Sequence, residues 1–402
     1  MRLPAVLTPL RHRDFRLLLI GQSISSVGNF FFNIAAPFQL LALGATPVEL
    51  GIAAFIQIGS MTAFLLLGGA IADRVSRRRL ILANDALGAL VTGAVAALAM
   101  FGQLRIEHIY IAGAVLGAAF AFLFPAYSAI VTELVPPDQL TQGNAARSLG
   151  SAIARTAGPL AAGLVLATSG APLAFAIDAL TFLFSFLLFT MSRATPKPAD
   201  VGLPLVRQVR DGISFVIATP WLWMMLVTYT FINLTYGGQR GVMTPIFVRD
   251  ALLAGGGTFG IVIAAHGVGQ IVGGIVVAQL PIRRPGVAMY VFEVIAGGAT
   301  LAVGVFVWLP ATLIAFAIMG VALSSSDTLF NAAIQRNVPG SMLGRVTSIN
   351  FLVGGLFVPI APVIAGVLVE AIGPALTFVF AGAWAAALAV VLLAASPVRS
   401  LK

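Results

Sequence analysis

The chain has no cysteine, only two lysines (Lys197 and Lys402), and three widely separated histidines, His12, His108 and His266. Charged residues make up just 9% of its 402 positions. Each shortage excludes a class of function. Without cysteine there is no disulfide, no thiol chemistry and no cysteine-bound metal. Neither lysine follows a glycine, so no phosphate-cradling Gly-Lys-Ser/Thr loop exists, and ATP-driven work by this chain alone is not expected. The histidines form no His-Glu-x-x-His site and no Gly-x-Ser-x-Gly elbow is present, so the chain is read as a non-enzyme with no metal and no other cofactor. Soluble domains carry about 25% charged residues, so this chain has too few to coat an aqueous surface. The net charge of +9 does not indicate nucleic acid, because the positive residues sit in short loops with no basic, aromatic-interleaved face.

What is abundant is apolar sequence, at 59% of positions. Within lipid every backbone polar group must be satisfied internally, so runs of about 20 apolar residues read as helical spans. Twelve are expected: 15–43, 48–72, 79–101, 106–133, 142–168, 172–192, 219–249, 258–280, 286–307, 309–335, 343–369 and 373–395. The fold class is therefore an all-α membrane protein. Residues 1–16 are basic and broken by Pro4 and Pro9, and the apolar run that follows is too long for a signal peptide, so no cleaved leader is expected. The longest polar connection lies midway and divides the chain into a bundle at 1–192, a linker at 193–218 and a bundle at 219–402. Lysine and arginine concentrate in alternate loops, and only Arg105 and Arg249 fall on the other side. By the positive-inside rule both termini are cytoplasmic.

The halves also repeat. Residues 129–179 align with 332–382 at an offset of 203, matching Val135-Pro136 with Val338-Pro339, Pro159 with Pro362, Gly163 with Gly366 and Gly170 with Gly373. Two related six-helix bundles with cytoplasmic termini predict a substrate site near the midplane and alternating access by rocking.

One stretch carries a more specific signal. Residues 68–79 read Gly-Gly-Ala-Ile-Ala-Asp-Arg-Val-Ser-Arg-Arg-Arg between two apolar runs. The pattern resembles the loop between the second and third helices of the major facilitator superfamily, Gly-x-x-x-Asp-Arg-x-Gly-Arg-Arg-Arg. Gly69, Asp73, Arg74, Arg77, Arg78 and Arg79 match it, and Ser76 replaces the second glycine. The resemblance implies the family's twelve-helix fold in two pseudo-symmetric bundles, and a loop that latches the halves together on the cytoplasmic side. A positive-inside anchor alone is the plainer alternative. Residues 154–163 resemble the family's antiporter motif, Gly-x-x-x-Gly-Pro-x-x-Gly-Gly, through Gly158, Pro159 and Gly163, with Ala154 and Ala162 in place of glycines. That motif implies export and close packing of helices 5 and 8 around a proline bend; ordinary small-residue packing is the alternative. The start, Leu10-Arg11-His12-Arg13-Asp14-Phe15-Arg16, with Gly21-Gln22 and Gly28-Asn29, is similar to the branch containing enterobactin exporters and macrolide efflux proteins, which are drug:proton antiporters.

Ionisable residues inside spans mark candidate sites. Arg155 lies midway along helix 5, where its repeat partner is Val358, and is either a cavity cation or half of a structural ion pair. Asp327 sits in a polar band with Ser324, Ser325, Ser326, Thr328 and Asn331, and is the proton-coupling candidate, with capping near the helix end as the alternative. A carboxylate withdrawn from water takes up a proton more readily. His266 is a weaker proton site or a satisfied hydrogen-bonding residue. Asn29, Asn33, Tyr229, Asn233, Tyr236 and Arg240 complete the expected substrate-contacting set. Asn29 and Asn33 stand where many proton-coupled drug exporters of the family carry a carboxylate. Glu133 answers Arg336 across the repeat and joins the latch set, while Asp85 and Glu293 are expected to pair with the arginine turns that precede them.

The sequence thus predicts a monomeric exporter of small amphiphilic molecules in the cytoplasmic membrane, contacting lipid and driven by protons. A lipid or metabolite carrier, an importer, or a non-transporting receptor of the same fold are the alternatives. Asp73→Asn is expected to slow export in vesicles by loosening the outward-facing state; unchanged kinetics would refute the latch.

Overall fold

A chain that must satisfy its own backbone has helices as its simplest solution, and helices are what the computed structural model contains. It describes residues 5–72, 75–193, 213–339 and 357–394, with isolated positions 342, 343, 346, 347, 349, 350, 353 and 355. No strand occurs among them. The principal helices are α1 (Arg13–Ala42), α2 (Pro47–Ala72), α3 (Arg77–Met100), α4 (Ile106–Ala129), α5 (Leu140–Thr190), α6 (Pro220–Gly237), α7 (Gly256–Gln279), α8 (Pro285–Val305), α9 (Leu309–Asn337), α10 (Ala361–Ile372) and α11 (Pro374–Leu393).

Among the described residues, nine helical stretches are long and apolar enough to cross a membrane. One of them, α5, holds 51 residues. At 1.5 Å per residue a straight helix of that length would run about 76 Å, far beyond a bilayer of about 30 Å. It breaks at Gly170, which adopts φ 79° and so leaves the helical region. Gly373, its counterpart 203 residues on, adopts φ 81° between α10 and α11. Both glycines precede a proline that opens the next arm, and only glycine takes this backbone conformation without strain. The two arms of α5, the broken helix beginning at Pro220, and the short apolar α10 fit the expected twelve spans.

The chain forms two compact units. The first comprises Met1–Ala45, Ile52–Val201 and Gly255–Ala264; the second comprises Thr46–Gly51, Gly202–Ala254 and Ala265–Lys402. A core of the first unit is built from Phe15, Leu18, Ile81, Ile130, Val131 and Phe189. A core of the second is built from Leu222, Met225, Tyr290, Phe330, Ile334 and Val346.

Polar groups inside the first core are satisfied jointly. Asp85 on α3 is fully buried, with 0% of its surface exposed. Its carboxylate accepts from Gln22 Nε2 on α1 at 3.0 Å, from Ser185 Oγ on α5 at 2.7 Å, and from its neighbour Asn84 at 3.2 Å. This corrects the expectation that Asp85 pairs with the arginine turn. A buried carboxylate stripped of one donor retains its desolvation cost. Gln22→Leu is therefore expected to lower stability by about 1–3 kcal/mol, read by unfolding in mixed micelles; an unchanged midpoint would show that the bond contributes nothing.

Candidate functional site

The turn before α3 is held by local bonds. Ser76 caps the helix by accepting from the Arg79 backbone N–H. Arg77 Nη1 donates to Glu133 Oε1 at 2.6 Å and to the Ala129 carbonyl at 3.2 Å. Arg78 donates to the Thr190 carbonyl at 2.9 Å. Thus Arg77, Arg78 and Glu133 tie the start of α3 to the ends of α4 and α5 inside the first unit. Gly69 lies within α2, whereas Asp73 and Arg74 fall outside the described residues. Arg336, the repeat counterpart of Glu133's position, is exposed near the end of α9.

The residues resembling the antiporter motif lie in the first arm of α5. Gly158 and Pro159 are buried, and a Cβ on Gly158 would strike the Phe30 ring of α1. A Cβ on Gly163 would come within 2.8 Å of Gly260 Cα, and one on Gly260 within 2.5 Å of the Pro159 carbonyl. Such close backbone approach requires glycine on both sides. Arg155 on the same arm is exposed. On α1, Asn33 is exposed and donates to the Asn29 carbonyl at 2.7 Å.

In the second unit the polar side chains converge. Asp327 on α9 accepts a hydrogen bond from the Tyr229 hydroxyl on α6, and it keeps open surface. Tyr229 is fixed from behind by a parallel stack on Phe330, with ring centroids 5.3 Å apart. The Asp327 carbonyl accepts from Asn331 Nδ2 at 2.8 Å. In the same unit, Glu293 on α8 is only 2% exposed and lies within electrostatic reach of Asp327. Its Oε2 atom is buried with no hydrogen-bond partner among the described residues. Tyr236 also lies within electrostatic reach of Glu293, while Asn233 is half-buried.

Helix α6 does not continue evenly. After Gly237 the chain forms wide π-type turns at Gln239–Met243 and Phe247–Ala251, on either side of Pro245. Such turns disrupt regular hydrogen bonding and recur at functional positions. Arg240, exposed on the first of them, acts electrostatically on His266 of α7. His266 is 6% exposed, and its Nδ1 lies 3.3 Å from the Phe316 carbonyl, the bland role of a satisfied core histidine.

Two buried carboxylates stand apart from the expected site residues. Glu293 was expected to pair with an arginine turn, yet it is buried within electrostatic reach of Asp327. Asp178 in α5 is fully buried, with both oxygens lacking a partner among the described residues and Gly28 of α1 packed against it. Tyr229 and Asp327, by contrast, are brought into contact. A double-mutant cycle of Tyr229→Phe and Asp327→Asn should give a coupling of about 1–3 kcal/mol in unfolding; additive effects would mean the bond is not formed.

Comparison with known proteins places these features in a family. Residues 4–358 match the family model described as transmembrane secretion effector. The enterobactin exporter EntS of Shigella flexneri is 25% identical over 344 residues, covering 84% of this chain and 80% of the exporter. EntS of Escherichia coli O127:H6 is 26% identical with 84% and 81% coverage. Among solved structures, the nucleoside transporter NupG has a TM-score of 0.77 at 10% identity, with 95% and 98% coverage. A bacterial homologue of the lysosomal transporter Spinster has 0.74 at 14% identity, with 97% coverage of both chains. These structures establish the fold alone. The chain is a multi-span membrane transporter that belongs to the transmembrane secretion effector family of the major facilitator superfamily.

Proposed function

We propose that the protein exports small amphiphilic molecules by alternating access in exchange for protons. The bundles at 1–192 and 219–402, joined by the linker at 193–218, would exchange which end of a midplane site is open, with both termini in the cytoplasm. In this reading it works as a monomer in the cytoplasmic membrane, surrounded by lipid.

The observation that carries the reading is Asp327: a carboxylate in the polar band of a membrane-length span, held by Tyr229, which itself stacks on Phe330, with open surface from which to take up or release a proton. Nothing in the packing of α9 requires a charge there, and an ionisable group inside a span is costly unless it is used. The resemblance to enterobactin exporters and the antiporter-like Gly158, Pro159 and Gly163 favour the outward direction. Arg155 and Arg240, both exposed inside spans, suit an anionic or neutral amphiphile better than a cation, and enterobactin is the first compound to try. Asn29, Asn33, Asn233 and Tyr236 would supply hydrogen bonds to it. In this scheme the arginine turn with Glu133 and Arg336 stabilises one of the two end states.

The test is enterobactin export in proteoliposomes with and without a pH gradient. The gradient should accelerate wild-type export, and Asp327→Asn should reduce it to the gradient-free rate while enterobactin binding persists. Gradient-driven export that survives in Asp327→Asn would remove Asp327 from the coupling.

A further inference from the structure

Five arginines of the first unit gather at one corner, where the starts of α1 and α3 meet the end of α5. Arg78 Nη2 reaches from α3 to the Thr190 carbonyl of α5 at 2.9 Å, and the Arg193 backbone N–H donates to Asp14 Oδ1 of α1 at 3.2 Å. Arg16 Nη1 donates to the Leu10 carbonyl at 3.4 Å, which keeps Arg11 at the same corner. Arg13 precedes Arg16 by one turn on the same side of α1. Arg11, Arg13, Arg16 and Arg193 are exposed, and none of the five forms an ion pair among the described residues. Two carboxylates lie close by. Asp14 is half-buried and bonded to that backbone N–H, and Asp138 is exposed next to Gln139, whose Oε1 lies 3.3 Å from His12 Nε2. The arginines outnumber them, so the corner keeps an excess of positive charge.

Apolar surface begins where the charge ends. On α1, Ile20 lies one turn beyond Arg16 and is 43% exposed. On the second arm of α5, Leu180, Phe184, Leu187 and Met191 form one outward stripe, each between 44% and 62% exposed, while Thr181 and Ser185 face glycines of α1. From Leu180 to Met191 the helix rises about 16 Å at 1.5 Å per residue, which is one leaflet's share of a hydrocarbon core of about 30 Å. A free anion would match the arginines and leave the stripe uncovered. A lipid without net charge would cover the stripe and leave the arginines unanswered. A phosphate joined to an acyl chain of one leaflet's length, with a net negative charge, matches both, and guanidinium groups pair closely with phosphate oxygens.

We propose that this corner is a binding site for an anionic phospholipid. Arg11, Arg13, Arg16 and Arg193 hold the headgroup phosphate, and an acyl chain lies along Ile20 and the stripe from Leu180 to Met191. Arg78 positions the site by tying the start of α3 to the end of α5. The bound lipid bridges the ends of α1 and α5 within the first unit. It is neither substrate nor coupling ion, and its binding requires no gradient.

The test is native mass spectrometry of the purified full chain in neutral detergent, titrated with dioleoylphosphatidylglycerol or dioleoylphosphatidylcholine. Arg13→Gln combined with Arg193→Gln removes two charges and leaves the bond to Asp14 in place, because Arg193 makes it through its backbone. Arg283→Gln combined with Arg284→Gln, at exposed positions before α8, removes the same charge from the second unit. Wild type should retain phosphatidylglycerol in preference to phosphatidylcholine, and millimolar inorganic phosphate should not displace it. The first pair of substitutions should weaken phosphatidylglycerol binding by about tenfold, and the second pair should leave it largely unchanged. Far-ultraviolet circular dichroism confirms folding, and the lipid preference and phosphate competition are read on wild type alone. Equal retention of the two lipids, displacement by inorganic phosphate, no loss in the first pair, or equal losses in both pairs would each overturn the proposal.

Discussion

An ionised carboxylate cannot sit unaccompanied in an apolar interior, and this constraint orders the whole protein. Asp85, Asp178, Asp327 and Glu293, all within spans, meet it in different ways. Asp85 gathers amide and hydroxyl donors from three helices. Asp178 is wholly enclosed and has no donor among the described residues. Asp327 combines a tyrosine donor with open surface. Glu293 is enclosed, and its Oε2 has no partner among the described residues. Acidic side chains are thereby given very different settings by the donors around them.

Backbone geometry sets where those donors can be. Glycine admits α5 to within touching distance of Gly260, and Gly28 lets α1 press against Asp178 and Thr181. Added methyl groups at these positions would separate the helices and open the buried polar sites to misalignment. Gly170 and Gly373 end one arm and start the next with matching left-handed backbones, so that the repeat is visible in dihedral angles as well as in letters. The wide turns around Pro245 have no such twin in α1, where Pro37 is accommodated within a continuous helix.

Much of this was legible in the sequence, for physical reasons. Apolar runs of bilayer length allow one backbone solution, so Arg13–Ala42, Arg77–Met100 and Leu309–Asn337 fall close to the expected spans. The polar band around Asp327 also stood out, because hydroxyls and amides are conspicuous in an apolar helix. Pairing was harder to read. Sequence proximity associated Asp85 and Glu293 with the arginine turns, but Asp85, about two helix turns deeper, meets Gln22, more than sixty residues away, and Ser185, one hundred away. Glu133 likewise joined Arg77 through the fold, a contact that the repeat alignment with Arg336 did not reveal.

The central proposal is that proton exchange at Asp327 drives substrate out. It is tested most directly by loading proteoliposomes with the exported amphiphile, imposing no pH gradient, and recording internal and external pH as the substrate leaves. The account predicts proton movement opposite to the substrate, in fixed proportion to it. Substrate efflux with no accompanying proton movement would contradict it.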